Sequence, residues 1–179
     1  MRPDIATPQS SPGLTIRAAT PGEYAEIGEL TVRAYAAVGD PLQGGPTYAA
    51  YEDELRNVAG RAESCLVLAA VDPAGRILGA VTFVPGPGTP WSESEREGEA
   101  GFRALAVDPS ARGQGVGRSL ATACIERARA MGRHGVAIHT RPSMTVAHRL
   151  YESLGFNRDR SRDWEFEPGE WLWSYVLTF

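Results

Sequence analysis

The chain has 179 residues, 42% of them hydrophobic and 22% charged, with both signs interleaved; this suits one mixed globular domain and is too short for two of ordinary size. A formal net charge of −4 gives no broad pull on nucleic acid, so any polyanion must be held by a local set of donors. Cys65 and Cys124 lie in apolar runs without metal-ligand spacing and read as buried thiols of a reducing compartment, with neither a disulfide framework nor a metal site.

Residues 1–13 carry Pro3, Pro8 and Pro12 and no apolar stretch. They are expected to form a flexible tail, neither signal peptide nor membrane span, ahead of a single domain over 14–179 in a cytoplasmic protein. Leu14, Ile16 and Ala18 alternate with polar residues as in a strand. Thr20, Pro21 and Glu23 then make a capping box for a helix carrying Ile27, Leu30 and Ala34 and ending near Gly39. A second helix is expected over about 47–62, from Tyr48, Tyr51, Leu55 and Val58. Residues 65–71 and 77–84 are β-rich runs joined by Asp72-Pro73-Ala74-Gly75-Arg76, a hairpin signal. Residues 85–98 hold three prolines and three glycines and are expected to be a long, polar, mobile connection with a functional role.

Residues 99–107 read as a further strand, followed by a glycine-rich turn and an amphipathic helix from about Gly115 to Met131. A short strand at 136–140 should pair in parallel with the strand before that helix, through a right-handed crossover. Met144, Ala147, Leu150 and Leu154 mark a last helix closed by Gly155, and two strands finish the chain, one from Phe156 and one from Trp171. The expected class is α/β, or α+β: a mixed, mostly antiparallel seven-stranded sheet with helices on both faces.

The turn Ala111-Arg112-Gly113-Gln114-Gly115-Val116-Gly117-Arg118 carries the chemistry. Three glycines in five residues let the main chain approach a ligand closely, and the helix beginning there offers unsatisfied amides and the positive end of its dipole. Arg112 and Arg118 add positive charge at the rim, so a diphosphate could be held by an otherwise acidic chain. On spacing alone, a dinucleotide-binding turn or a merely flexible turn would look similar. No Lys-Ser or Lys-Thr pair follows the glycines, so a Walker-type P-loop is absent.

Two stretches together resemble the GNAT superfamily of acyl-CoA N-acyltransferases. Arg112-Gly113-Gln114-Gly115-Val116-Gly117 fits the family's Arg/Gln-x-x-Gly-x-Gly/Ala signature after a strand like Phe102 to Pro109, and Ala147-His148-Arg149-Leu150-Tyr151-Glu152-Ser153-Leu154-Gly155-Phe156 matches Ala-x-x-Leu-Tyr-x-x-Leu-Gly-Phe. The resemblance implies transfer of an acyl group, most often acetyl, from acyl-CoA to a primary amine by direct attack in a ternary complex, without metal. It implies that Arg112, Gly113, Gln114, Gly115, Val116 and Gly117 cradle the coenzyme A diphosphate with Arg118 nearby. Leu105, Ala106 and Val107 would pair with the pantetheine arm where the fourth and fifth strands, parallel and splayed, part. An amide there would polarise the thioester carbonyl.

By the same resemblance Tyr151 protonates the departing thiolate. The chain departs from the family pattern at Gly101, where many relatives have a glutamate, and at Met144, where many have an asparagine. With glycine unable to move a proton, Glu99, two residues away on the same strand face, is the candidate base, with Glu97 or Glu95 as substitutes. His139 and His148 are expected to be structural. The acceptor side is expected to gather Tyr35, Tyr51, Trp91 and Trp164, together with Tyr48, Trp171 or Trp173 and the carboxylates Asp40, Glu52, Glu95 and Glu97, around a small-molecule or peptide amine. No nucleic acid or membrane partner is expected, and a homodimer is left open. Two other readings stand beside the N-acyltransferase: a non-catalytic acyl-CoA-binding sensor, and an O-acyltransferase.

Overall fold

The computed structural model describes residues 13–38 and 46–179; all but Gly13 of the tail expected over 1–13, and the candidate Asp40, lie outside them. One sheet organises the chain, in the order β1-β2-β3-β4-β5-β8-β6, with β7 paired to β8. Its strands are β1 (Thr15–Ala18), β2 (Leu66–Val71), β3 (Ile77–Val84), β4 (Glu99–Val107), β5 (Gly135–Thr140), β6 (Asn157–Arg158), β7 (Trp164–Glu167) and β8 (Glu170–Thr178). All neighbouring pairs are antiparallel except β4 and β5. That makes eight strands among the described residues where seven are expected. The additional one is β7, which forms a hairpin with β8 across Pro168 and Gly169, the latter at φ +83°.

Helices cover both faces. On one side α1 (Tyr24–Ala36) and the short α3 (Val58–Ala62) bury Ile27, Leu30, Ala34 and Val58 against β2 and β3. On the other, α4 (Val116–Ala130) buries Val116, Leu120, Cys124 and Ala128 against Leu68, Val81, Phe83 and Val136. Each fully buried leucine of this kind contributes roughly 2–3 kcal/mol. Every residue of β3 is buried, which explains why, Thr82 apart, it is apolar throughout: a strand covered on both faces has no polar side to alternate with.

The capping box is present. Thr20 N donates to Glu23 Oε2 at 2.8 Å, and Arg17 grips the same carboxylate at 2.6 Å, holding its pKa down to about 2. It opens as a 3-10 turn, Pro21–Glu23, before α1 proper. The single helix expected over 47–62 is two, α2 (Pro46–Arg56) and α3, because Asn57 turns out of helical geometry (φ −75°, ψ 59°) and caps α3 by accepting from Gly60 N at 3.0 Å. An asparagine competes well as a cap, so it divides the apolar periodicity that runs through it. Arg61, 2% exposed, ties the two helices to the sheet, donating to the carbonyls of Glu54 and Leu55 and to Thr82 Oγ1 at 2.6, 3.0 and 3.0 Å. The last helix, α5, is Thr145–Ser153, closed by Gly155 at φ +92°.

Candidate active site

The central parallel pair is short. β4 and β5 pair only at Glu99↔Gly135, Ala100↔Val136 and Gly101↔Ala137. From residue 102 onward β4 has no β5 partner, so its edge amides and carbonyls face a cleft. A bulge sharpens the divergence: the β3–β4 register slips between Ala80↔Ala106 and Thr82↔Arg103, and Ala104 takes φ +50°, the one positive φ outside glycine among the described residues. Such a conformation costs on the order of 1 kcal/mol and re-aims the amides around it. Leu105, Ala106 and Val107 lie along this open edge.

At the mouth of the cleft α4 begins. Gly115 is its N-cap at φ +79°, and among the described residues no side chain caps its first amides. Gly113 also sits in the left-handed region, at φ +76°, with open space where a side chain would stand. Fifteen residues of helix then aim an uncapped, positive end at the turn. Gly117 faces Val107 and Leu150, bringing the turn, β4 and α5 together. The two arginines are partly committed elsewhere: Arg112 Nη2 donates to Ala34 O at 3.1 Å, and Arg118 Nη2 to Ser153 Oγ at 2.6 Å. Gln114 Nε2 donates to Ser110 O at 3.3 Å, while Val116 is buried. What this turn offers an anion is therefore main-chain amide first and guanidinium second.

Tyr151 is 6% exposed on α5, with its ring edge-on to Phe102 and tilted against Phe156 and Tyr175. Burial pushes its phenol well above the usual value, so it stays protonated and able to donate. It has no hydrogen-bond partner among the described residues.

On the opposite face lies a cavity of about 210 Å³. Its walls include Tyr35, Tyr51, Trp164 and Phe166, with Arg103, Glu93 and the bulge residue Ala104; a more open hollow of about 400 Å³ beside it is formed by Trp91, Trp164, Arg103 and Glu93. The four aromatic residues expected on the acceptor side thus line two adjoining hollows. Tyr35 and Tyr51 meet edge-on at 6.1 Å, and burial pushes the Tyr35 hydroxyl up to about 12. Met144 also lines the cavity, and it is the N-cap of α5 without a capping bond. Trp171 is 45% exposed, whereas Trp173 stacks on His148 and lies 4.7 Å from the Arg158 guanidinium. Glu52 pairs with Arg56, and Tyr48 is buried.

Glu99, the expected base, is held otherwise. It is 4% exposed and takes both terminal nitrogens of Arg162, at 2.8 and 2.9 Å, while Oε2 also accepts from Arg96 N at 2.8 Å. Burial alone would raise its pKa, but the ion pair and the amide outweigh it and hold the carboxyl below its ordinary range. A carboxylate so engaged ties β4 to the Arg160–Arg162 turn, with both of its oxygens already taken. Nothing near Glu99 in sequence announces an arginine 63 positions away.

The segment expected to be mobile, 85–98, is stitched down. Trp91 Nε1 donates to Gly60 O at 3.1 Å, Ser92 Oγ to Gly86 O at 2.9 Å, and Glu93 pairs with Arg103 at 3.2 Å and stands 3.5 Å from His139 Nδ1. Burial raises the Glu93 pKa, yet His139 and Arg103 together bring it below the usual value. The segment carries Glu95 onto β4: a Cβ on Gly101 would overlap Oε1 of Glu95 and lie 2.8 Å from its carboxyl carbon. Glu97 is exposed, and its carbonyl is 3.0 Å from His134 Nε2.

Among the described residues no group of three or more His, Cys, Asp or Glu side chains could hold a metal, and no helix is long and apolar enough to cross a membrane. A mixed sheet whose central parallel strands part beside a glycine-opened helix defines the GNAT type of α/β fold. The family model for the acetyltransferase (GNAT) family matches residues 26–156, and the chain belongs to that family.

Solved structures agree in fold. The E. coli ribosomal-protein-S18-alanine N-acetyltransferase superposes with a TM-score of 0.65 at 20% identity, over 92% of this chain and 93% of its own. The Salmonella typhimurium protein yncA, solved with its cofactor acetyl-CoA, gives 0.64 at 22% identity, over 93% and 94%. Among curated relatives, mycothiol acetyltransferase of Saccharopolyspora erythraea is 31% identical over 87% of this chain and 47% of its own length. The chain thus spans about half the length of the curated relatives it matches.

Proposed function

We propose that this protein transfers an acetyl group from acetyl-CoA to a primary amine by direct attack within a ternary complex. The observation that carries this is the opening between β4 and β5, with the uncapped amides of α4 at its mouth. The diphosphate sits on the amides from Gly113 to Arg118, with the Arg112 and Arg118 side chains at its margin. Pantetheine extends the sheet along Leu105, Ala106 and Val107, which brings the thioester carbonyl to the bulge, where a re-aimed amide stabilises the developing oxyanion. Tyr151, kept protonated by burial, gives its proton to the departing thiolate.

The acceptor enters from the other face, with its body against Tyr35, Tyr51 and Trp164 and with Trp91 at the rim. Relatives named for mycothiol and for ribosomal-protein alanine support acceptors of two shapes, a small metabolite amine and a peptide amino terminus. Incubation with acetyl-CoA, a thiol reagent and a panel of both kinds of amine tests the proposal. Thiol release that depends on an amine is the expected result. Binding of acetyl-CoA without turnover across the panel would make the protein a sensor instead, and turnover with alcohols alone an O-acyltransferase.

A further inference from the structure

Residues 99, 101 and 103 share one face of β4, and Arg103 among them lines the acceptor cavity. Glu99 is closed by Arg162, Arg103 is held by Glu54 and Glu93, and between them the side-chain place of Gly101 is filled by the carboxylate of Glu95. We propose that Glu95, carried by the 85–98 segment onto Gly101, is the general base that removes a proton from the acceptor ammonium, directly or through one water. The proposal rests on the acetyl-transfer function above and names a residue for one of its steps.

Three features of the geometry support it. Gly101 is the last β4 residue paired with β5, so the Glu95 carboxylate stands where the cleft opens, next to the strand segment expected to hold the thioester. Glu95 has no cationic partner among the described residues; Oε2 accepts from Glu93 N at 2.7 Å, which orients the group and leaves Oε1 over Gly101. Other carboxylates nearby are occupied: Glu93 by Arg103 and His139, Glu99 by Arg162.

The titratable groups that interact with Glu95 are Glu93 from its own segment, His139 from β5 and Cys65 ahead of β2, with Arg103 and Glu99 two residues either side of Gly101 on β4. Burial, aided by the like charge of Glu93, raises the Glu95 pKa against its backbone hydrogen bonds and His139, the direction that strengthens a base. Gly101 also explains itself: any side chain there would displace the carboxylate and crowd Ala137 O at 2.8 Å.

The protons balance. The acceptor ammonium gives one proton to Glu95, which later releases it to solvent. The free amine forms the C–N bond, the C–S bond breaks, and the thiolate takes the Tyr151 proton. Tyr151 recovers it from the surplus proton on the new amide nitrogen.

The test is Glu95→Gln in the full chain. With an amino-terminal-alanine peptide, or whichever amine of the panel turns over, kcat should fall by about 10²–10⁴-fold and its acid limb should disappear, while the acetyl-CoA Kd is unchanged. Hydroxylamine, neutral without help, should react almost as fast with the variant as with the parent. An unchanged rate and pH profile would overturn the assignment while leaving the transferase standing, and lost acetyl-CoA binding would show Glu95 to be structural. Independently of any acceptor, the carboxyl ¹³C resonance that Glu95→Gln removes should titrate above the ordinary glutamate value; titration at or below it would also overturn the assignment.

Discussion

Replacing Glu99 by Gln separates a structural clamp from a catalytic base. The substitution keeps the shape of the side chain but removes the charge that both terminal nitrogens of Arg162 face at 2.8 and 2.9 Å, where the two side chains are only 5% and 10% exposed. Removing one partner of a buried pair generally costs about 3–5 kcal/mol. Here Asp159 Oδ2 stays 3.1 Å from Arg162 Nε, so a loss of about 2–3 kcal/mol is expected, at or just below the bottom of that range. With an m-value of about 2 kcal/mol per molar urea, the unfolding midpoint should drop by about 1–1.5 M.

The sign of the pH dependence follows from the lowered Glu99 pKa. The pair stabilises the fold above the unfolded carboxyl's value near 4.5 and stops doing so as pH falls through the lower, folded value. Parent and variant should therefore differ fully at pH 7 and converge in acid. Urea titrations at pH 7 and pH 3.5, read by tryptophan fluorescence, measure both. A variant as stable as its parent at pH 7, with a turnover profile stripped of its acid limb, would refute the clamp and return Glu99 to the chemistry.

Tyr151→Phe should lower kcat by about 10²-fold or more with little change in acetyl-CoA affinity; steady-state kinetics beside calorimetry would show it, and an unaltered kcat would remove the phenol from the mechanism. Asn57→Ala should cost about 1 kcal/mol through loss of the α3 cap, seen as a lower melting temperature. Cys124, wholly buried with its thiol pKa pushed up by that burial, should resist thiol reagents at pH 8 until denaturant unfolds the chain; mass spectrometry of the labelled protein reads this directly.

What sequence could show depended on how local each cause is. The glycine turn at 113–117 and the Thr20–Glu23 box act through their own backbone, so residue type and spacing disclose them. The parallel pairing of β4 with β5 follows from one helix lying between two strands. The break at Asn57 was readable in principle, since an asparagine followed three residues later by an available amide is a cap signal, but apolar periodicity on either side hid it. β7 had a signal too: Trp164 and Phe166 alternate ahead of Pro168-Gly169. The placement of Glu95 over Gly101 had none of this kind. It depends on how a loop rich in proline and glycine folds back and on contacts from Trp91 to Gly60 and from Glu93 to Arg103, which link residues 31 and 10 positions apart.

The most direct measurement is a calorimetric titration of acetyl-CoA into the parent protein and into Gly115→Val. The parent should bind with a Kd in the micromolar to submillimolar range usual for such substrates. The variant should bind far more weakly, because valine cannot easily hold φ +79° at the start of α4. Absence of heat with the parent, or equal affinity in the two proteins, would mean that the amides at this helix start do not grip the coenzyme.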